Sequence, residues 1–152
     1  MRRVSLIALI AGGLALFLVV SALLTRALSV GGAENSAITD LVRAEARGNS
    51  AAVVAAITGC RASPVCQARA AAVTAALRRS GSVQIIEING TTGFALGGTV
   101  GTARVAWLAG TSLPRVQCVR VRDTGNVLAG FQVQLLKVSV RIRSNADCPS
   151  RF

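Results

Sequence analysis

The chain has 152 residues, a net charge of +11 and no histidine, and 52% of its residues are hydrophobic. The lack of histidine excludes a His-containing catalytic triad and removes the commonest metal ligand of proteins. The positive charge, carried by sixteen arginines and a single lysine, favours acidic partners or anionic surfaces but does not specify a fold.

An uncharged apolar run begins at Val4, directly after Arg2 and Arg3, and ends at Leu24. Its 21 residues are enough to cross a bilayer as a helix. The arginines before the run favour a cytoplasmic N-terminus, which would place the rest of the chain outside the membrane. We therefore predict a transmembrane anchor over residues 1–28 and a single-pass protein of the cell membrane with an extracytoplasmic C-terminal domain.

A cleaved signal peptide is the alternative interpretation of this segment. Ala27-Leu28-Ser29 has small residues at the two positions that signal peptidase recognises, and cleavage would make the protein secreted. Gly31-Gly32 favour a helix break after the segment. We therefore predict a linker over residues 29–35 and a folded domain over residues 36–152.

Helical periodicity dominates the first half of the predicted domain. Ser50 is a candidate N-cap, and Ser63-Pro64 combines a capping residue with proline at the first helical position. Three helices are predicted, over residues 36–47, 51–58 and 64–79.

The second half of the domain alternates apolar and polar residues, which predicts about four antiparallel strands, over residues 82–88, 99–108, 116–122 and 127–143. The glycine-rich residues 90–101 and the sequence Asp-Thr-Gly-Asn at 123–126 are predicted to be hairpin connections. The apolar positions of the last strand change parity between Leu135 and Leu136. A strand can keep one face toward the core after such a change only if it gains a residue, so we predict a β-bulge there.

This order of elements resembles the nuclear transport factor 2-like, or cystatin-like, domains that bacteria often hold outside the membrane behind one helix. The resemblance spans about residues 36–143. It is carried by the helix–Gly-Asn–helix opening at 44–58, the strand at 101–107, the hairpin at 124–126 and the long bulged strand. It implies an α+β fold, with three helices packed on a bent antiparallel sheet around a cone-shaped pocket. Enzymes of that family place acidic residues, histidines or tyrosines in the pocket, and this chain has no histidine or tyrosine, so we predict that it is not an enzyme.

Four cysteines in an exported domain indicate two disulfides. Of the three pairings that four cysteines allow, we predict Cys60–Cys66, which would join the second helix to the third, and Cys118–Cys148, which would tie a strand to the C-terminal tail. A four-cysteine zinc site is the alternative, but the spacing of Cys60 and Cys66 is not the C-x-x-C of zinc ribbons. We predict no metal and no cofactor.

Several basic residues are predicted to share the face of the sheet that points away from the core: Arg120, Arg122, Lys137, Arg141 and Arg143. They form a candidate patch for an acidic envelope protein, an acidic polymer or lipid headgroups, and the alternative is an ordinary solvated face. Nucleic acid is not expected, because no aromatic residues are interleaved for base stacking. Glu87 is predicted to form a salt bridge with an arginine, and Trp107 to lie in the core.

The main hypothesis for function is a non-enzymatic, membrane-tethered extracytoplasmic module that binds a partner in the envelope. One alternative is a subunit of a pilus or secretion filament, since such subunits also combine an apolar N-terminal helix, a sheet and a C-terminal disulfide. The lack of a prepilin cleavage site and the expected break at Gly31-Gly32 weigh against it. A carrier that binds a small ligand in its pocket is the other alternative.

Overall fold

The chain folds as an α+β protein in which all the described helices precede a four-stranded antiparallel sheet. The computed structural model describes residues 2–90, 99–126, 130–143, 146–150 and 152. The elements are, in chain order, α1 (Arg2–Arg47), α2 (Ser50–Ala56), a short 3-10 helix (Cys60–Ala62), α3 (Pro64–Leu77), β1 (Val83–Asn89), β2 (Thr99–Ala109), β3 (Arg115–Asn126) and β4 (Gly130–Val138).

Helix α1 is continuous, and this corrects two predictions. The break expected at Gly31-Gly32 is absent, and residues 29–35, predicted to be a linker, are helical. Glycine in a helix costs only about 1 kcal/mol relative to alanine, and there is no proline in this segment to remove a backbone donor. The predicted helix over residues 36–47 is therefore the C-terminal part of one long helix.

The ends of the shorter helices follow from their capping residues. The side chain of Asn49, and not that of Ser50, caps α2 by accepting a hydrogen bond from the backbone N–H of Ala52. This helix ends earlier than predicted, because Ile57 is extended and forms an isolated bridge with Leu135 of β4. The predicted cap of α3 is confirmed, since the Ser63 hydroxyl accepts from the N–H of Cys66.

The sheet is a meander with the order β1-β2-β3-β4. Val121 pairs with Leu135 and Arg120 with Lys137, so Leu136 is the extra residue of a bulge in β4, as the parity change predicted. A second irregularity, between Ile85 and Glu87 in β1, was not predicted.

The hairpin that joins β3 and β4 was predicted at the wrong position. Residues 123–126 form no turn, because they extend β3 and pair with residues 130–133 of β4. Asp123 is buried on the inner face, and the pairing with β4 gives the backbone groups of these residues the partners that a turn would leave to solvent. The strand predicted over residues 127–143 is correspondingly shorter, since β4 ends at Val138. The glycine-rich connection falls mostly on residues 91–98, which lie outside the described residues.

The core lies between one face of the sheet and the C-terminal part of α1, with α2 and α3 completing it. Alternate residues of β2 and β3 point inward, and Trp107 is fully buried as predicted. The largest fully buried apolar side chains come from both layers: Ile38, Leu41, Val42, Val53, Val73, Leu77, Val105, Trp107, Val119 and Val121.

The N-terminal part of α1 differs from the rest of the helix in its exposure. Large apolar side chains at positions 10 to 24 are exposed to solvent, among them Phe17 at 66% and Leu16 at 65%. Within the part of the chain that the structure describes, no helix combines the length and the apolar character needed to cross a membrane.

Candidate basic face and groove

The sheet brings together three of the five basic residues that the sequence grouped. Arg120 and Lys137 are cross-strand partners on β3 and β4, and partners of this kind point to the same face. Arg122 lies two residues along β3 and so shares that face. It points away from the core, because Val119 and Val121, the intervening residues of β3, are fully buried. We call Arg120, Arg122 and Lys137 the basic face.

The structure does not place Arg141 and Arg143 on the sheet, which corrects the predicted five-residue patch. Both follow the end of β4 and flank Ile142, which forms an isolated bridge with Val116 of β3. Ser139 interrupts the ladder, because its N–H donates to the Cys118 carbonyl while its hydroxyl accepts from the Cys118 N–H. The two arginines are therefore exposed residues of the C-terminal tail.

The C-terminal tail returns over the outer face of the sheet. The Cys118–Cys148 disulfide fixes it there, with the two Cα atoms 5.7 Å apart, and confirms the predicted pairing. Two backbone carbonyls of the tail accept hydrogen bonds from arginines of that face, Ala146 from Arg104 and Ser150 from Arg120. The tail thus covers part of the outer face beside the basic face and holds Arg120 in position.

Glu87 forms a salt bridge, as predicted. Its Oε2 atom lies 3.7 Å from Nη1 of Arg104, on the same outer face of the sheet. Asp40 and Arg43 form another ion pair on α1. Within the part of the chain that the structure describes, the residues of the basic face have no carboxylate partner of this kind, so their charge remains available to a ligand.

A groove lies beside the basic face, between α3 and the edge of β4. Its volume is about 310 Å³, near the lower end of the range for ligand sites. The bulge residue Leu136 and Lys137 form one wall, and Val65 and Arg69 of α3 the other. Both basic residues are exposed, and Val65 is 80% exposed. The groove is therefore lined by apolar residues and by two exposed basic residues.

The Cys60–Cys66 disulfide, confirmed with Cα atoms 5.2 Å apart, lines the same groove. It ties the 3-10 helix to the first turn of α3, which fixes the wall that carries Arg69. Sequence analysis missed Arg69, because on a helix it is one of many exposed arginines. The predicted bulge and the predicted Cys60–Cys66 disulfide were the two sequence signals for this groove, but nothing in the sequence indicated that they would line the same groove.

The interior holds a carboxyl group that the sequence did not single out. Glu45 of α1 is fully buried, and its Oε2 atom accepts a 2.6 Å hydrogen bond from Nε2 of Gln117 on β3. Burial raises the pKa of Glu45 to about 7, and this hydrogen bond lowers it in part. The other carboxyl oxygen has no hydrogen-bond partner. Asp123, at the far end of β3, also has a pKa raised by burial.

Among the described residues, no three or more cysteine or carboxylate side chains are grouped so that they could hold a metal ion. Comparison with known protein families, with curated proteins and with solved structures finds no match. The resemblance to cystatin-like domains accordingly stays a prediction.

Proposed function

We propose that this protein is a non-enzymatic extracytoplasmic module, tethered to the cell membrane by its N-terminal helix, that binds an acidic partner of the envelope. The observation that carries the binding proposal is the basic face. Its three cations lie together on β3 and β4 without a carboxylate partner among the described residues. In a chain of net charge +11, such a surface attracts acidic partners and repels basic ones.

The tether is supported by the first part of α1. The sequence has no charge from Val4 to Leu24, and every described large apolar side chain of this run is exposed. An exposed apolar surface of this extent marks a site that contacts lipid or another protein. Lipid is favoured by the basic residues that precede the run, because they follow the orientation rule for membrane helices.

The binding proposal can be tested by photo-crosslinking in intact cells, followed by identification of the captured protein. The test variant is Arg120→Gln/Arg122→Gln, and the matched control is Arg141→Gln/Arg143→Gln, which removes the same charge from the tail. We expect the wild type and the control to capture an acidic protein and the test variant to lose it. Equal capture by all three proteins would refute a role for the basic face.

A filament subunit is the second candidate, and the continuity of α1 favours it. The break expected at Gly31-Gly32 weighed against this function, and it is absent. The protein has a single long helix with an exposed apolar N-terminal part, a packed C-terminal part, an antiparallel sheet and a disulfide-linked tail. In a filament, helices of neighbouring copies would cover the apolar part in place of lipid.

The tethered module and the filament subunit differ in what covers the apolar part of α1, so one cell-fractionation experiment distinguishes the two functions. Cells are sheared, and the released material is examined by electron microscopy and by immunoblotting. Recovery of the protein in filaments would favour the second candidate. Its retention in the membrane fraction as single copies would favour the tethered module.

A further inference from the structure

We propose that the groove between α3 and the edge of β4 is a docking site for an extended acidic peptide segment, which adds to the sheet as a strand beside β4. This inference rests on the proposed function, because it specifies the form in which the acidic partner is bound. It is argued from the edge of the sheet, the walls of the groove and the charges on them.

Strand β4 is an edge strand. It pairs with β3 on one side, and its only described pairing on the other side is the isolated bridge between Leu135 and Ile57. In that bridge, the N–H of Thr58 donates to the Leu135 carbonyl over 2.8 Å. The bridge shows that this edge accepts an extended segment as a neighbour. Residues 136–138 continue the edge beyond it, and there they line the groove.

The groove suits a peptide that places side chains on both sides of its backbone. Side chains of an added strand alternate, so one set would enter the groove and the other would face solvent. Val65, Ala70 and Val138 give the groove apolar walls. The volume of about 310 Å³ accommodates the anchoring side chains of a short segment.

The basic residues of the groove favour an acidic peptide as its ligand. Arg69 on α3 and Lys137 on β4 both line the groove, and neither has an ion-pair partner among the described residues. A lysine on an edge strand discourages pairing between identical copies, and a second copy of this chain would bring further positive charge. An acidic segment would complement both cations, so it is favoured over self-association.

The test uses the full-length chain in detergent micelles and measures fluorescence anisotropy. The probe is a labelled peptide of alternating glutamate and valine. A second peptide of the same sequence carries N-methyl groups on alternate amides, which keeps its charge but prevents strand pairing. The test variant is Arg69→Glu, and the matched control is Arg61→Glu, an exposed arginine of the 3-10 helix outside the groove.

We expect the unmodified peptide to bind, and we expect either N-methylation or Arg69→Glu to weaken binding by about tenfold, while Arg61→Glu has a much smaller effect. Hydrogen exchange of residues 136–138 should slow on binding. Equal affinity for the two peptides, equal effects of the two arginine variants or no binding at all would overturn the inference. Loss of binding in Arg120→Gln/Arg122→Gln with Arg69→Glu unchanged would also overturn it, but would leave the proposed function standing.

Discussion

Glu45 should make the protein less stable as the pH rises through neutrality. Its carboxyl group is buried between α1 and β3, with a hydrogen bond to one oxygen only. Burial raises its pKa from an ordinary value of 4.5 to about 7. The folded state therefore holds the proton more tightly than the unfolded chain, where the group ionises near its ordinary value.

The sign and size of the effect follow from that difference. Below pH 4.5 the group is protonated in both states and contributes no difference in stability. Between pH 4.5 and 7 only the unfolded chain ionises, so the free energy of unfolding falls by about 1.4 kcal/mol for each pH unit. Above pH 7 the loss levels off at about 3 kcal/mol. Asp123 contributes in the same direction, because burial raises its pKa too.

The substitution Glu45→Gln should remove most of this dependence. The amide stays neutral at every pH, and it can still accept the hydrogen bond from Gln117. At pH 8 the variant should be more stable than the wild type, by up to about 3 kcal/mol. Urea unfolding from pH 4 to pH 8.5 can be followed by the fluorescence of Trp107, which is the only tryptophan and is fully buried.

Asp40→Asn is the matched control, because Asp40 is an exposed carboxylate on the same helix. It should leave the pH dependence of the wild type unchanged. The reasoning would be refuted if Glu45→Gln and the wild type gave parallel curves of stability against pH. A variant that was less stable than the wild type at pH 8 would refute it as well.

Two further predictions concern the packing and the crosslinks. Replacing Cys118 and Cys148 by alanine should lower the free energy of unfolding by about 3.5 kcal/mol, and replacing Cys60 and Cys66 by about 2 kcal/mol, in the chain-entropy model. The first loss is larger because the first disulfide closes a sequence separation of 30 residues and the second one of 6 residues. Chemical denaturation of both variants measures the two losses, and equal losses would contradict the prediction. Gly81→Ala should destabilise the protein by about 1–3 kcal/mol, because Gly81 has φ of +104° and an added Cβ would lie 2.8 Å from the Gly110 Cα atom. A thermal melt like that of the wild type would contradict this second prediction.

The fold could be predicted from sequence wherever a local pattern had a single physical solution. The parity change at Leu135-Leu136 required an extra residue, and the structure has a bulge there. Ser63-Pro64 fixed the start of α3, and the spacing of the cysteines in predicted elements led to both disulfides. In each case the signal lies within a few residues or rests on a covalent constraint.

The errors arose where tertiary packing overrides a local signal. Gly31-Gly32 predicted a break, but α1 continues into a segment that packs Ile38, Leu41 and Val42 into the core. The sequence at 123–126 is typical of a turn, yet pairing with residues 130–133 of β4 keeps it in β3. The groove could not be predicted, because Arg69 and Lys137 come to line one groove only when α3 and the edge of β4 take their places in the folded domain.

The continuity of α1 also changes how the proposed functions fit the structure. A flexible linker would let the domain turn freely relative to the apolar segment, whereas a helix fixes both distance and direction. From Leu24 to Glu34, the first buried residue among those whose burial is described in this helix, the rise is about 15 Å. The sheet is therefore held close to whatever covers the apolar part, whether lipid or neighbouring helices. A partner that binds the basic face must approach within that geometry, so a short extended segment suits the site better than a bulky folded surface.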